Sequence, residues 1–259
     1  MDELLIERVH ALWDELADFD AASNDVALIH LLAAICELVE AQNATWFGAV
    51  RMADVLPGDP VGGWRPRMIR HLHPTPPIHK TAVEQTEMLE QGSVDITTVR
   101  NVELAGRFRA NRLIDLVPES WFQSTYYRTY YLVIGQIDAI WAGIPVNEDA
   151  EVYIGVHRNA THRRFSETDR EIVAYALRGL KWFHRQQMLG QGLLVAKSPL
   201  SPVERSVLQG LLAGLSEKQV AATQGHSYHT THEYVCSQYR KFGVKNRAGL
   251  MALWLGKSA

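Results

Sequence analysis

Near the carboxyl end of the chain, Thr230, Thr231, His232, Glu233, Ser237, Arg240, Lys241 and Arg247 fall within a short stretch, with Lys218 and Ser227 just before them. Hydroxyl, imidazole, carboxylate and cationic groups at three- and four-residue spacing can meet base edges and hold phosphates in duplex DNA. The spacing predicts a helix over 230–242, ended by Gly243. Thr231, Val235, Gln238 with Tyr239, and Phe242 fall on one side of it, which packs inward. His232, Cys236 and Arg240 fall on the other side, with Glu233 and Ser237 beside them. Thr231 is thus both an inward position and one of the candidate contacts. Charge supports the reading. Residues 197–259 hold eight Lys/Arg and three Glu, a net +5, while the whole chain is −3, which leaves −8 for residues 1–196. A basic module on an acidic body is the asymmetry of a nucleic-acid binder.

The surrounding elements would position this helix. Ser201-Pro202-Val203-Glu204 is a capping box with proline at the first helical position. Val203, Val207, Leu208, Leu211 and Leu212 then recur on one helical face, and Gly214 stops the helix. Ser216-Glu217-Lys218-Gln219 is a second capping box, opening a short helix that Gly225 breaks. Asn246 caps a fourth helix over 247–255. The second and third of these helices fit a helix-turn-helix.

This stretch resembles the DNA-binding domain of the LuxR/GerE family of transcription regulators. The residues that carry the resemblance are Leu200-Ser201, Glu204-Arg205, Val207-Leu208, Gly214-Leu215-Ser216, Lys218-Gln219-Val220-Ala221, Ser227, Thr230, Val235, Arg240-Lys241, Gly243-Val244 and Arg247. The resemblance implies a four-helix domain whose third helix reads the major groove and whose fourth often forms a dimer. The sequence departs from the family at Thr231, where valine is usual, at Gln238, where isoleucine or leucine is usual, and at His232, where lysine is frequent. A buried polar group without a partner costs about 1–3 kcal/mol.

The remainder of the 259 residues is of ordinary globular composition, 47% hydrophobic and 21% charged. Cys36 and Cys236 fit neither a disulfide framework nor a zinc spacing, which suits a reducing cytoplasm; Cys36 reads as a small core residue. The start, MDELLIERVH, is acidic and unlike a signal peptide. No apolar run approaches the roughly 18 residues of a membrane span. No metal and no cofactor are expected. Helices are predicted over 2–19, 25–41 and 78–90, and a strand over 44–52. Six of the ten prolines lie between Pro57 and Pro77, a long connection around one strand at 68–73. There His71, His73 and His79 read as solvated loop residues. Residues 95–117 hold one strand near 102–107. Trp121, Phe122, Tyr126, Tyr127, Tyr130 and Tyr131 form an aromatic cluster that reads first as core. Two alternating strands, 140–146 and 152–156, form a hairpin. The Arg- and His-rich stretch 157–164 reads as a solvated connection. One long helix then runs from Ser166 to about Met188 and points straight into the linker.

This order is α+β, an antiparallel sheet flanked by helices followed by the all-α four-helix domain. From the hairpin through Phe165-Ser166-Glu167-Thr168-Asp169-Arg170 the chain resembles a GAF-type sensory domain or its PAS-type cousin. The expected division is a sensory domain over 1–190, a linker over 191–199 and the helix-turn-helix domain over 200–259. The expected function is a one-component, sequence-specific transcription regulator. Its partners would be double-stranded DNA, a second copy of the chain, a small-molecule effector and RNA polymerase. Trp121, Tyr126, Tyr130 and Trp141 are the candidate effector contacts. The alternative is a quorum-type regulator that binds an acyl-homoserine lactone. That family carries a Trp–Tyr–Asp set in its pocket, for which Trp121, Tyr126, Tyr130 and Asp138 supply the residue types. A phosphorylated response regulator would need strand–helix alternation that is lacking. No phosphate loop, nucleophile elbow or Cys/His pairing marks an enzyme.

Overall fold

The computed structural model of the protein describes residues 2–53, 55, 57–194 and 199–256. They cluster into two compact units, one of residues 1–14 and 29–181, the other of residues 15–28 and 182–259. The second unit therefore begins earlier than the expected domain start at 200, and it takes an N-terminal segment as well. Residues 195–198 of the expected linker lie outside the described residues.

The first unit is an α+β fold on a five-stranded antiparallel sheet. Helices α1 (Glu3–Asp18) and α2 (Asn24–Leu38) precede strands β1 (Asn43–Arg51) and β2 (Trp64–His71). Helices α3 (Pro76–Glu90) and α4 (Ile96–Val102), strand β3 (Arg109–Arg112), and helices α5 (Leu113–Leu116) and α6 (Thr125–Tyr130) follow. The hairpin β4 (Gln136–Asn147) and β5 (Ala150–Asn159) then leads to α7 (Glu167–Arg178). The strand order is β2-β1-β5-β4-β3.

Register and the two-residue period of a strand divide the sheet into two unlike faces. Trp46 pairs with Ile154, and Ile154 with Ala142. With Ile140, Ile144, Val152 and Val156 they make the middle of one face apolar and buried, and the paired Asp138 and Arg158 lie at its end. The other face carries Thr45, Phe47, Trp141, Glu151, Tyr153 and His157. Glycines make room there. A Cβ on Gly155 would lie 2.6 Å from the Trp141 ring, and one on Gly143 would lie 2.5 Å from the Arg109 guanidinium. Arg109 reaches across to Glu151 at 2.8 Å and to the Tyr153 hydroxyl at 2.9 Å, and both charges are buried.

Several expectations are corrected. Strand β2 starts at Trp64, ahead of the expected 68, and contains Pro66. A register shift between Gly48 and Ala49 lets this edge strand accommodate the proline. Residues 96–102 are helical and the strand expected at 102–107 lies at 109–112, because Asp95 caps α4 by accepting from Thr97 N–H. His71 is no loop residue: it ends β2, and its Nδ1 lies 3.0 Å from the Thr45 hydroxyl, which also meets His157 Nε2 at 3.2 Å. Burial and the neighbouring imidazole push His157 down to about 3. Stretch 157–164 is likewise not wholly solvated, since Arg158 is buried between Asp169, the Val39 carbonyl and the Phe165 ring. The run Ala21–Leu38, with mean hydropathy 1.4, is long and apolar enough to cross a membrane by length and composition. Its Leu28, Leu31, Leu32 and Ile35 are buried within the fold. The single long helix is two: α7 ends at Gly179, and α8 (Lys181–Gly190) begins anew.

The second unit holds the end of α1 and the start of α2, then α8 and four further helices, α9 (Pro202–Leu212), α10 (Glu217–Gln224), α11 (Tyr228–Lys241) and α12 (Arg247–Trp254). Both predicted capping boxes form, at Ser201 and Ser216. Helix α11 starts two residues before the expected Thr230, because Ser227 is its N-cap. Val207, Leu208, Leu211, Val220, Val235, Phe242 and Leu250 make the core. The Arg185 guanidinium on α8 donates to the Leu253 carbonyl of α12 at 2.8 Å.

Glu151→Ala strands the Arg109 charge on the buried sheet face, and a loss of about 3–5 kcal/mol follows. Urea unfolding of the purified variant measures it. A loss under about 1 kcal/mol would show that the pair is dispensable.

Candidate functional site

Helix α11 holds most of the candidate contacts, and its period sorts them. Thr231, Val235 and Gln238 are fully buried and Phe242 nearly so, as the inward face requires. This removes Thr231 from the contacting set: its side chain lies in the core, and its hydroxyl has no hydrogen-bond partner among the described residues. Gln238 is half satisfied, its amide nitrogen donating to the Glu204 carbonyl at 2.7 Å while its oxygen is unpaired.

Two of the expected phosphate-binding cations are occupied inside the domain. Lys241 is paired with Glu204, whose carboxyl also accepts from Ser201 N–H. Burial pushes the Glu204 carboxyl up, but its hydrogen bonds and the Lys241 charge outweigh this and hold it below the usual range. Arg247 donates to the Leu211 and Leu215 carbonyls at the end of α9, tying α12 to α9. Ser227 accepts from Thr230 N–H at 3.0 Å and bonds the Thr230 hydroxyl, so both act first as a helix cap.

What remains on the surface is a narrower set. Lys218 and Arg240 are exposed cations with no ion-pair partner among the described residues. His232 and Glu233 are exposed and Ser237 is half-buried. His232 Nδ1 lies 2.9 Å from Glu217 Oε2, and Glu233 lies 3.4 Å from His229. Reading by spacing passed over His229, Glu217 and the exposed Lys245. Glu217 belongs to another helix, and no local signal joins it to His232.

In the first unit, a cavity of about 150 Å³ lies between the mixed sheet face and α3, α4 and α6. That is enough for a compact organic molecule. Of the four candidate effector contacts, Tyr126 and Trp141 line it, while Trp121 and Tyr130 do not. Trp121 stands behind the wall, donating from Nε1 to Asp95 Oδ2 at 3.0 Å, and the Tyr130 hydroxyl points to Met88 Sδ at 3.1 Å. Asp138, the expected carboxylate, is also absent from the lining. It is buried elsewhere, accepting from Phe165 N–H at 2.7 Å and Ala139 N–H at 2.9 Å. Burial pushes its carboxyl up. The carboxylate of the cavity is Asp95, which sequence reading missed because its partner Trp121 is 26 residues away. Tyr131 and Tyr153 also line the cavity, their hydroxyls pushed up by burial. Gln85 bridges α3 to α6 by donating to the Tyr126 hydroxyl at 2.7 Å. Asn101 also lines the cavity, and its buried side-chain oxygen has no hydrogen-bond partner among the described residues.

Residues 198–253 match the family described as bacterial regulatory proteins, luxR family. Among curated proteins no sequence relative matches. The chain is also similar to solved structures. One is SdiA in complex with octanoyl-rac-glycerol, at 10% identity over 96% of this chain and 93% of that one, with a TM-score of 0.49. A second is the VqsR LBD domain from Pseudomonas aeruginosa, at 14% identity over 73% and 98% of the two chains, with a TM-score of 0.45. A third is Escherichia coli SdiA, at 12% identity over 97% and 96%, with a TM-score of 0.44.

Thr231→Val replaces an unpaired buried hydroxyl by a methyl of the same shape. A gain of about 1 kcal/mol or more is expected, read from the thermal unfolding midpoint. A destabilised variant would mean that the hydroxyl has a partner.

Proposed function

We propose, from the premise that residues 198–253 form a regulatory domain of the luxR family, that the protein is a one-component, sequence-specific transcription regulator responsive to a small effector. Residues 200–259 bind DNA, residues 1–190 sense the effector, and residues 191–199 join them. The observation that carries the reading is the sorting of α11. Its inner face is closed by Val235, Gln238 and Phe242, while Arg240, His232, Glu233 and Ser237 remain outside and Lys218 stands exposed on α10. A helix with a sealed back and a polar front is what a major groove accepts. Few free cations also mean that DNA affinity depends on each of them, and that two half-sites gripped by a homodimer bind far more tightly than one. In α12, Leu250, Leu253 and Trp254 are core residues, so Leu255, 80% exposed, and the half-buried Met251 are what a dimer contact would use.

Selection of bound duplexes from random sequence at several salt concentrations tests this reading. An inverted-repeat consensus is expected. Lys218→Ala and Arg240→Ala should each reduce the slope of log affinity against log salt by about 1 per removed phosphate contact. Retention of no duplex at low salt would end the proposal.

The alternative, that the effector is an acyl-homoserine lactone, draws support from one feature, a cavity that combines Asp95 and tyrosine hydroxyls with apolar walls. Thermal unfolding with such lactones separates it from the general reading. A raised midpoint that Ala82→Leu, a change that narrows the cavity, abolishes is the expected outcome if the lactone binds there. An unchanged midpoint across chain lengths would reject it.

A further inference from the structure

The outward side of α11 carries a group for which reading DNA has no need. Cys236 is exposed. One turn earlier on the same helix, His232 Nε2 lies 3.5 Å from its Sγ. The other ring nitrogen, Nδ1, lies 2.9 Å from Oε2 of Glu217, the first residue of α10. A carboxylate only accepts, so Nδ1 is the donor in that contact. In the neutral ring Nε2 then keeps its lone pair and faces the thiol. Tyr228 stacks on the same imidazole, with ring planes 19° apart and centroids at 6.1 Å. The ring is therefore held by a carboxylate on one helix and by an aromatic face on its own.

A nucleophile beside a base that a third group orients is the arrangement that activates thiols. The chain holds a contrast to it. Cys36, its other cysteine, is buried, and burial with the nearby Glu37 charge pushes its thiol up to about 12. One thiol is sealed and inert, and the other is open with a base at its side.

We propose that Cys236 is a thiol–disulfide exchange site that takes low-molecular-weight disulfides, with His232 as its base and Glu217 as the positioning residue, and that the adduct blocks the DNA-reading face of α11. The inference rests on the DNA-reading role given above. In the exchange, Nε2 takes the Cys236 proton and the thiolate attacks one sulfur of the small disulfide. A Cys236 sulfur–sulfur bond forms, the incoming disulfide bond breaks, and the departing thiolate takes the proton from the imidazolium. The protein thiol is oxidised and one half of the disulfide is reduced to its thiol, with no other reactant. The adduct stands between His232 and Arg240, one turn to either side. There its bulk keeps the helix from entering the groove. Excess thiol reverses it.

Oxidised glutathione and the full-length protein provide the test, with peptide mass mapping for the rate at each cysteine and fluorescence anisotropy for DNA affinity. Cys236 should react and Cys36 should not. His232→Gln should slow the reaction at Cys236 about tenfold. Glu217→Ala should slow it as well, and Glu217→Gln, whose amide oxygen accepts the same hydrogen bond, should restore most of the rate. The adduct should abolish specific DNA binding, and dithiothreitol should return it. Cys236→Ser should bind DNA as before and ignore the disulfide. Equal rates in the wild type and His232→Gln would overturn the activation, and full DNA affinity in the adduct would overturn the block. If no form of the protein bound any duplex, the DNA-reading role would fail, while the rate comparison would still decide the chemistry.

Discussion

The sheet of the first unit is buried on both faces, and the two-residue period of its strands makes one side mainly apolar and the other mixed. On one side Trp46, Ile140, Ala142, Ile144, Val152, Ile154 and Val156 form a continuous apolar layer. The other side must bury Glu151, Thr45, His157 and the Arg109 guanidinium, and each needs a partner there. Arg109 and Glu151 satisfy one another and fix β3 against β5. Thr45 lies between two histidines that burial keeps uncharged. Side chains of unequal size, with glycine at 143 and 155, leave this face uneven. The cavity lined by Trp141, Tyr153 and Phe47 follows from that unevenness, and Asp95 and Asn101 reach it from α4.

An analogous constraint governs the helical domain. Each of its helices is short, so local propensity alone would not hold it, and packing of one apolar face supplies the stability. Glu204, Lys241 and Arg247 are used to lock α9 to α11 and α12. Cations that a charge count assigns to phosphates are thereby committed to the fold. Arg240, His232 and Glu233 stay on the outer side of α11, and Cys236 is exposed beside His232.

The expected single helix from Ser166 is divided into α7 and α8. Helix α7 closes at Gly179, and α8 is fastened within the second unit by Arg185 and by Gln187, whose amide nitrogen donates to the Asn24 carbonyl at 2.9 Å.

Signals that act between near neighbours in the chain are legible in the sequence by itself. Capping boxes at Ser201 and Ser216, stops at Gly214, Gly225 and Gly243, and the helical period of α9 and α11 all work within one or two turns. They specify the four-helix domain nearly to the residue, and strand alternation specifies the hairpin of β4 and β5. Tertiary structure alone decides which polar groups meet. Asp95 finds Trp121 across 26 positions, Arg109 finds Glu151 across 42, and Gln238 finds Glu204 across 34. It likewise turns Arg158 inward, pairs Lys241 with Glu204 and places Asp95, not Asp138, in the cavity. A side chain's type states what it can bond to, but burial selects the partner, because an unpaired buried charge or dipole costs more than any local preference can return.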